Sequence, residues 1–390
     1  MRRFVERLTS SFSPQSSLFV IATLVGVVTG LCAGLFKLAI SSMASLFTVH
    51  FSRYGINWML LLLPVAGFML VYIFRRRLVG LPLRHGTDIV TASVAKGDYL
   101  IPSRLTFSWM VAGTLTLGFG GSAGSEGPIA STGAAIGSNI GRICRQKSDM
   151  IRILIGCGAG AGIAAIFKAP LGGFLFTLEV MKLSFTTLPV MALLLACLVA
   201  SLVAYAMSGF TVDVSFVQAE QFDPGVIPWI IALGAVCGFY SLYYSAVMKL
   251  MGRVYGSLRR QWLVPLLCGA ELGLLLLLFP ALYGEGYGVM QKILNGSIDS
   301  LFADGPFAMA RIDGITIALL CFALVIVKAF ASSATTDGGV AGDFAPTLYA
   351  GCILGLLFAT VANLGFDASL PAGAFAFLGM AGVMAGVIRA

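Results

Sequence analysis

Six stretches of this chain, 17–48, 57–74, 187–208, 226–250, 262–280 and 314–331, are almost free of charge. Each approaches or exceeds the ~20 residues that a helix needs to cross the hydrocarbon of a bilayer. No other feature restricts the fold as severely. Backbone amides find no water in lipid, so spanning structure is confined to helices and closed barrels, and runs of this length select helices. Composition agrees with that choice. Residues are 58% hydrophobic and 11% charged, where soluble domains carry roughly 25% charge. Such a chain cannot cover itself with a wetted surface and takes lipid as its solvent.

The N-terminus, MRRFVERLTSSFSPQ, is basic. The apolar run behind it is longer than a signal-peptide core and shows no evident cleavage site, so it is read as uncleaved and cytoplasmic. The formal charge of +8 gathers in short loops, at Arg75, Arg76 and Arg77, at Arg142, Arg145 and Lys147, and at Arg259 and Arg260. Membrane topology explains those clusters better than nucleic acid does. A multi-pass protein of the plasma (bacterial inner) membrane is expected.

Between the spans lie shorter segments, 105–122, 126–142, 152–168, 170–184, 344–361 and 373–390, rich in glycine and interrupted by proline. These are too broken for simple crossings. Irregular backbone persists at membrane depth only when buried in protein or lining a watery cavity, which predicts half-crossing helices whose ends meet mid-membrane. Gly26, Gly30 and Gly34 form a stripe that lets helices pack closely. The chain divides into a cytoplasmic segment (1–15), a first membrane repeat (16–208), a polar linker (209–225) and a second repeat (226–390). The halves echo each other: GAGAGIAAIFKA (158–169) aligns with GMAGVMAGVIRA (379–390), matching Gly158 to Gly379 and Lys168 to Arg389. Upstream, EGP (126–128) and FAP (344–346) each open a helix of small residues. Repeats with broken helices around a central site are a transporter signature. Ala169 is followed by a further helix, PLGGFLFTLEVM, whereas the second copy stops at Ala390; the second repeat is expected to be incomplete.

One carboxylate, Glu126, sits in GGSAGSEGP (120–128). Pro128 suits the first turn of a helix, and a helix N-terminus carries partial positive charge and open donors that hold anions. A second such terminus is predicted at GDFAPTL (342–348) and a third near Ile101. Converging termini would hold a partly dehydrated anion without a full charge, so that it can leave again. Glu126 then reads as a tethered anion that occupies the site when ionised and withdraws when protonated or displaced. The plainer reading is an acid that merely stabilises its own helix; acids at membrane depth are expensive and usually functional, which favours the first.

Other chemistry is poorly supported. The eight cysteines form no CxxC pair and read as small buried hydrophobes. Two histidines, His50 and His85, leave no room for His-rich metal chemistry, and no metal or cofactor is expected. GGSAG (120–124) fits the GxSxG pattern of a serine hydrolase, but that elbow needs a strand before Ser122 and a histidine after it; the preceding WMVAGTLTLGFG is helix-like and both histidines lie upstream. A cation transporter would want several acids in the broken segments, which offer chiefly Glu126, Glu179 and Asp343. A structural scaffold would not need matched broken helices. The protein is expected to be a transporter and not an enzyme.

GSEGP resembles the Gly-Lys/Arg-Glu-Gly-Pro signature of the CLC chloride channels and chloride/proton antiporters, and GDFAP (342–346) resembles their Gly-x-Phe-x-Pro signature. KAPLGGFLFTLEVM (168–181), VIRA (387–390) and YGEGYGVMQKIL (283–294) look like further CLC stretches. The resemblance implies an all-α polytopic membrane fold of two inverted-topology repeats, with broken, tilted helices meeting at a mid-membrane anion site, in a homodimer with one pore per subunit. By position, Glu126 is the gating glutamate, framed by Gly124 and Pro128. The anion-binding set comprises backbone at Asp343 and Phe344, with Gly127 and Ala345 beside them, and Gly342 and Pro346 complete the second motif. The usual filter motif has no clean copy; RHGTDIV (84–90) puts His85, Gly86 and Thr87 there. Either His85 or the Thr87 hydroxyl tunes anion choice, or His85 points away and amides coordinate. The inner proton glutamate of many antiporters falls at Val180, beside Glu179, and family members lacking it include channels and antiporters alike. Ser125 replaces a usual Lys/Arg, and Asp343 adds an acid at an apolar position. Chloride is the expected anion, with protons as a second partner of an antiporter; fluoride, nitrate and bicarbonate stay open. Lys and Arg are expected to be scarce along the path.

Overall fold

The computed structural model describes residues 14–48, 57–80, 101–181, 186–209, 224–301 and 313–388. His85, Gly86, Thr87, Arg389, Ala390 and 210–223 of the linker lie outside the described residues. Within them the helices are α1 (Pro14–Thr48), α2 (Met59–Phe74), α3 (Leu105–Gly118), α4 (Glu126–Ile143), α5 (Ser148–Phe167), α6 (Pro170–Met181), α7 (Thr187–Met207), α8 (Ile227–Gly256), α9 (Leu263–Leu278), α10 (Tyr287–Leu294), α11 (Gly314–Gly338), α12 (Phe344–Phe366) and α13 (Ala372–Ile388). Seven of the described helical stretches are long and apolar enough to cross a membrane. The apolar runs read from the sequence each became a helix, although 262–280 became only the shorter α9, and the glycine-rich segments became α3 to α6, α12 and α13; of these, α5 and α12, read as too broken for simple crossings, are continuous helices long and apolar enough to span. The chain is an integral membrane protein with multiple passes.

Contacts group the chain into two units. The first comprises 1–42, 73–114 and 125–213. Its helices meet where glycine removes the side chain. A Cβ on Gly26 would stand 2.7 Å from the carbonyl oxygen of Ala196, and one on Gly30 would stand 2.8 Å from that of Ala200; α1 therefore lies backbone-close to α7. The α4–α5 crossing is tighter still. A Cβ on Gly133 would collide with the carbonyl of Gly158, and one on Gly137 with that of Leu154. The C-terminus of α5 closes with Lys168 in the left-handed region, φ 52°. Lys37 Nζ donates to the carbonyl of Ile166 at 3.4 Å, a cation placed where the helix dipole is negative.

The second unit comprises 43–72, 115–124 and 214–390. Here α9 packs against the 59–72 part of α2, with Gly269 2.6 Å from Val65 Cα on the same Cβ test. The Tyr240 hydroxyl of α8 donates to the carbonyl of Val325 at 2.9 Å and ties α8 to α11. The α12–α13 crossing repeats the geometry of the other unit. A Cβ on Gly351 would collide with the carbonyl of Gly379, and one on Gly355 with that of Phe375. Gly133 and Gly351 both stand five residues after their proline, and Gly137 and Gly355 nine after it. Gly158 and Gly379, matched in the sequence echo, are the two residues at the crossings. The echo therefore records a packing geometry, and not merely an abundance of glycine and alanine.

Candidate functional site

In the second unit, the strip 120–124 is bonded along its length. The α3 helix ends at Gly118, and Gly120 turns the chain with φ 98°, a conformation that favours glycine. The Gly121 N–H donates to Thr116 O at 2.9 Å, and the Ser122 N–H donates to Thr335 Oγ1 at 3.0 Å. Gly124 and Gly342 then exchange two bonds, Gly124 N–H to Gly342 O at 2.9 Å and Gly342 N–H to Gly124 O at 2.7 Å. The far side of this pairing is held as well, because Val340 N–H donates to Thr116 Oγ1 at 2.9 Å. Below the strip, Tyr283 Oη donates to Gly118 O at 3.1 Å. Thr116 and Thr335 each serve both sides of the strip, since Gly339 N–H also donates to Thr335 O at 2.9 Å.

This scaffold delivers the start of α12. Asp343 is its N-cap, and the carboxylate makes no capping bond to its own first turn. Phe344 opens the helix, with Ala345 and Pro346 buried behind it. A helix start presents N–H donors and the positive end of the dipole, which suits an anion.

In the first unit, Glu126 is the first residue of α4 and only 3% exposed, with Gly127 and Pro128 buried in the same turn. Ser125, the N-cap, makes no side-chain capping bond. Pro128 packs beside Gly113 of α3, where a Cβ would stand 3.1 Å from the ring. Ser131 Oγ donates to Gly127 O at 2.8 Å and fixes the first turn from within. Glu126 follows Gly124 by two residues in the chain. Both motif starts read from the sequence thus open helices, with the proline in the first turn each time.

One expectation about the site needs correction. The third terminus, placed near Ile101, begins later. The helix starts at Leu105, and the Ile101 N–H is occupied by Ser138 Oγ at 3.1 Å. The segment before Ser122, read as helix and so against a hydrolase elbow, is helix up to Gly118, and Ser122 is fully buried. Val180 lies in α6, and its neighbour Glu179 is exposed.

Two features escaped the sequence reading. Lys328, in the middle of an apolar run, is 1% exposed and donates from Nζ to Ser122 Oγ at 2.8 Å and to Ser122 O at 3.2 Å. A lone charge inside a spanning segment was the available signal. Further acids sit in α9 and at the end of α11. Tyr255 Oη donates to Glu271, and Ser333 Oγ donates to Asp337 Oδ2 at 3.1 Å. A search confined to the broken segments passes over both.

Comparison with known proteins places this geometry in context. The family model described as "Voltage gated chloride channel" matches residues 66–390. The H(+)/Cl(-) exchange transporter ClcA of Vibrio cholerae is 27% identical over 410 residues, spanning 98% of this chain and 81% of that protein. A putative chloride channel protein, ClcB-like, from Ralstonia nicotianae is 28% identical over 347 residues, spanning 85% of this chain and 75% of the other. Among solved structures, a slow cyanobacterial Cl-/H+ antiporter superposes with a TM-score of 0.78 at 23% identity, covering 97% of this chain and 87% of that one. A CLC-type fluoride/proton antiporter gives 0.77 at 23% identity, covering 95% and 86%.

Proposed function

Because the chain belongs to the voltage gated chloride channel family, we propose that it carries small anions, chloride first, across the plasma (bacterial inner) membrane. In this reading backbone at Asp343, Phe344 and Ala345, at the start of α12, takes the anion. Glu126 gates the path by competing with the anion as a carboxylate and yielding when protonated. The protein works as a homodimer in lipid, each subunit built from two inverted repeats with a pore of its own. The observation that carries the reading is the reciprocal Gly124–Gly342 bonding, which fixes the strip leading to Glu126 and the residue preceding Asp343 as one pair.

Exchange of anion for proton and passive conduction remain two readings, and the names of the relatives favour exchange: ClcA is an H(+)/Cl(-) exchange transporter. Val180 stands where the inner proton glutamate is usual, so an exchanger here would route its proton differently. The fluoride/proton antiporter among the structural neighbours keeps fluoride as a second substrate. The test is a vesicle flux assay on the full chain that follows chloride and proton together under an imposed chloride gradient. Proton movement against its own gradient marks an exchanger. Glu126→Gln should abolish the dependence of flux on pH, and any proton coupling, while anion flux persists. Wild-type pH dependence in Glu126→Gln would remove Glu126 from this role.

A further inference from the structure

At one end of the first unit, the start of α3, the end of α4 and the start of α5 come together. The Ile101 N–H donates to Ser138 Oγ at 3.1 Å, and Asn139 Nδ2 donates to Thr106 Oγ1 at 3.2 Å, so α3 begins where α4 ends. A Cβ on Gly141 would stand 3.1 Å from Ile151 Cγ1, which seats the first turn of α5 against the last turn of α4. The stretches at this end, 101–107 and 139–152, carry Arg104, Arg142, Arg145, Lys147 and Arg152 against a single acid, Asp149.

These cations are not consumed by the fold. Arg104, Arg142, Arg145 and Lys147 are exposed. Arg142 Nη2 donates to Asn139 Oδ1 at 2.8 Å, a neutral acceptor. Among the described residues, none of the five pairs with a carboxylate. Arg152 Nε is shut off from water with no hydrogen-bond partner, a donor left open at a cost. The loop between α4 and α5 is fixed by other bonds. Arg145 takes a left-handed φ of 53°, the Gln146 N–H donates to Gly141 O at 3.0 Å, and Gln146 Nε2 donates to Cys144 O at 3.3 Å.

Beside the cations the surface turns apolar. Phe107 and Val111, one turn apart on α3, are 59% and 42% exposed, and Ile143 at the end of α4 is 50% exposed. Because α5 is long and apolar enough to span, its first turn lies at a membrane surface. Basic loops favour the cytoplasmic side, whose leaflet is rich in anionic lipid. Topology alone asks for positive charge in the loop, but not for open cations over apolar side chains. A soluble anion gains nothing from Phe107 and Val111, and a neutral lipid gains little from the arginines. An anionic phospholipid uses both.

We propose that this end of the first unit seats an anionic phospholipid, its phosphate at the cationic rim and an acyl chain along Phe107 and Val111. The inference goes beyond the anion-transport reading and does not depend on it.

The test is native mass spectrometry of the full chain in mild detergent, titrated with phosphatidylglycerol or with phosphatidylcholine of the same acyl chains. Wild type should prefer phosphatidylglycerol. Arg145→Gln/Lys147→Gln, which removes two surface cations, should weaken phosphatidylglycerol about thirtyfold and leave phosphatidylcholine unmoved. Arg259→Gln/Arg260→Gln removes the same charge from the loop between α8 and α9 and should change little. Equal loss in the two double variants marks diffuse attraction and overturns the seat. Phe107→Ala should weaken phosphatidylglycerol about fivefold through lost apolar contact. Inorganic phosphate at millimolar concentration should not displace the lipid; displacement marks a site for free phosphate and overturns the lipid. If Arg145→Gln/Lys147→Gln does not fold, Arg104→Gln decides, with about fivefold loss expected and wild-type binding overturning the proposal.

Discussion

The crossing of α4 with α5 and the crossing of α12 with α13 share one template. In each, a glycine five residues past the proline meets a glycine of the second helix, and a glycine nine past the proline meets the residue four before it. The helix starts differ in charge. In α4 the acid is the first helical residue, Glu126, and is 3% exposed; in α12 the acid is the N-cap Asp343 and is less deeply buried. The packing positions are constrained identically because a carbonyl lies where any side chain would go. The starts lie ahead of those crossing positions and differ in charge. The comparison teaches that the repeated geometry is scaffold, held by backbone contact, and that charge varies where that contact does not reach.

If the two crossings are equivalent, Gly133→Leu and Gly351→Leu should cost alike. Overpacking usually costs ~1–3 kcal/mol, and here the obstacle is backbone that cannot rotate away, so each should lose ~3 kcal/mol or more. Denaturant unfolding in mild detergent reads both. A clear inequality, with one variant close to wild type, would break the equivalence.

A smaller effect tests the strip that joins Gly124 to its pair. Thr335 Oγ1 accepts the Ser122 N–H at 3.0 Å, both residues being fully buried. Thr335→Val keeps the shape and strands that N–H, at ~1–3 kcal/mol. Thr335→Ser keeps the acceptor and should lie much nearer to wild type. Equal loss in the two variants would assign the effect to the lost methyl packing and not to the bond.

Much of this was legible in the chain itself, for physical reasons that differ by residue. The spans were readable because lipid demands unbroken apolar length, and α7, read as 187–208, was found at Thr187–Met207. The starts of α4 and α12 were readable because proline is tolerated in a first turn and small residues follow it. The echo was readable because a backbone crossing tolerates only glycine. What stayed hidden is contact across long separations. Nothing near Ser122 announces Lys328, 206 residues away, or Thr335, 213 residues away. The Ile101 terminus was misplaced because an apolar start says nothing of which N–H a distant serine will occupy. Glu271 and Asp337 were passed over because their stretches look like ordinary crossings, and the partner of Glu271, Tyr255, comes from the end of another helix, α8.

The smallest expected effect lies at the base of the strip. Tyr283 lies just beyond the short turn Pro280–Leu282, and its hydroxyl donates to Gly118 O at 3.1 Å, where α3 ends. Its ring also fills the space above Gly120, since a Cβ there would stand 2.9 Å from Cε2. Tyr283→Phe removes the bond and keeps the ring, at ~0.5–1.5 kcal/mol, the net value of one hydrogen bond. Tyr283→Ala removes both and should cost ~3 kcal/mol or more, as loss of an aromatic from a packed site does. The contrast separates the ring, which supports the turn at Gly120, from the hydroxyl, which only trims the helix end. Were Tyr283→Phe to cost more than Thr335→Val, the strip would be held chiefly from its base, and the Gly124–Gly342 end would be the looser of the two.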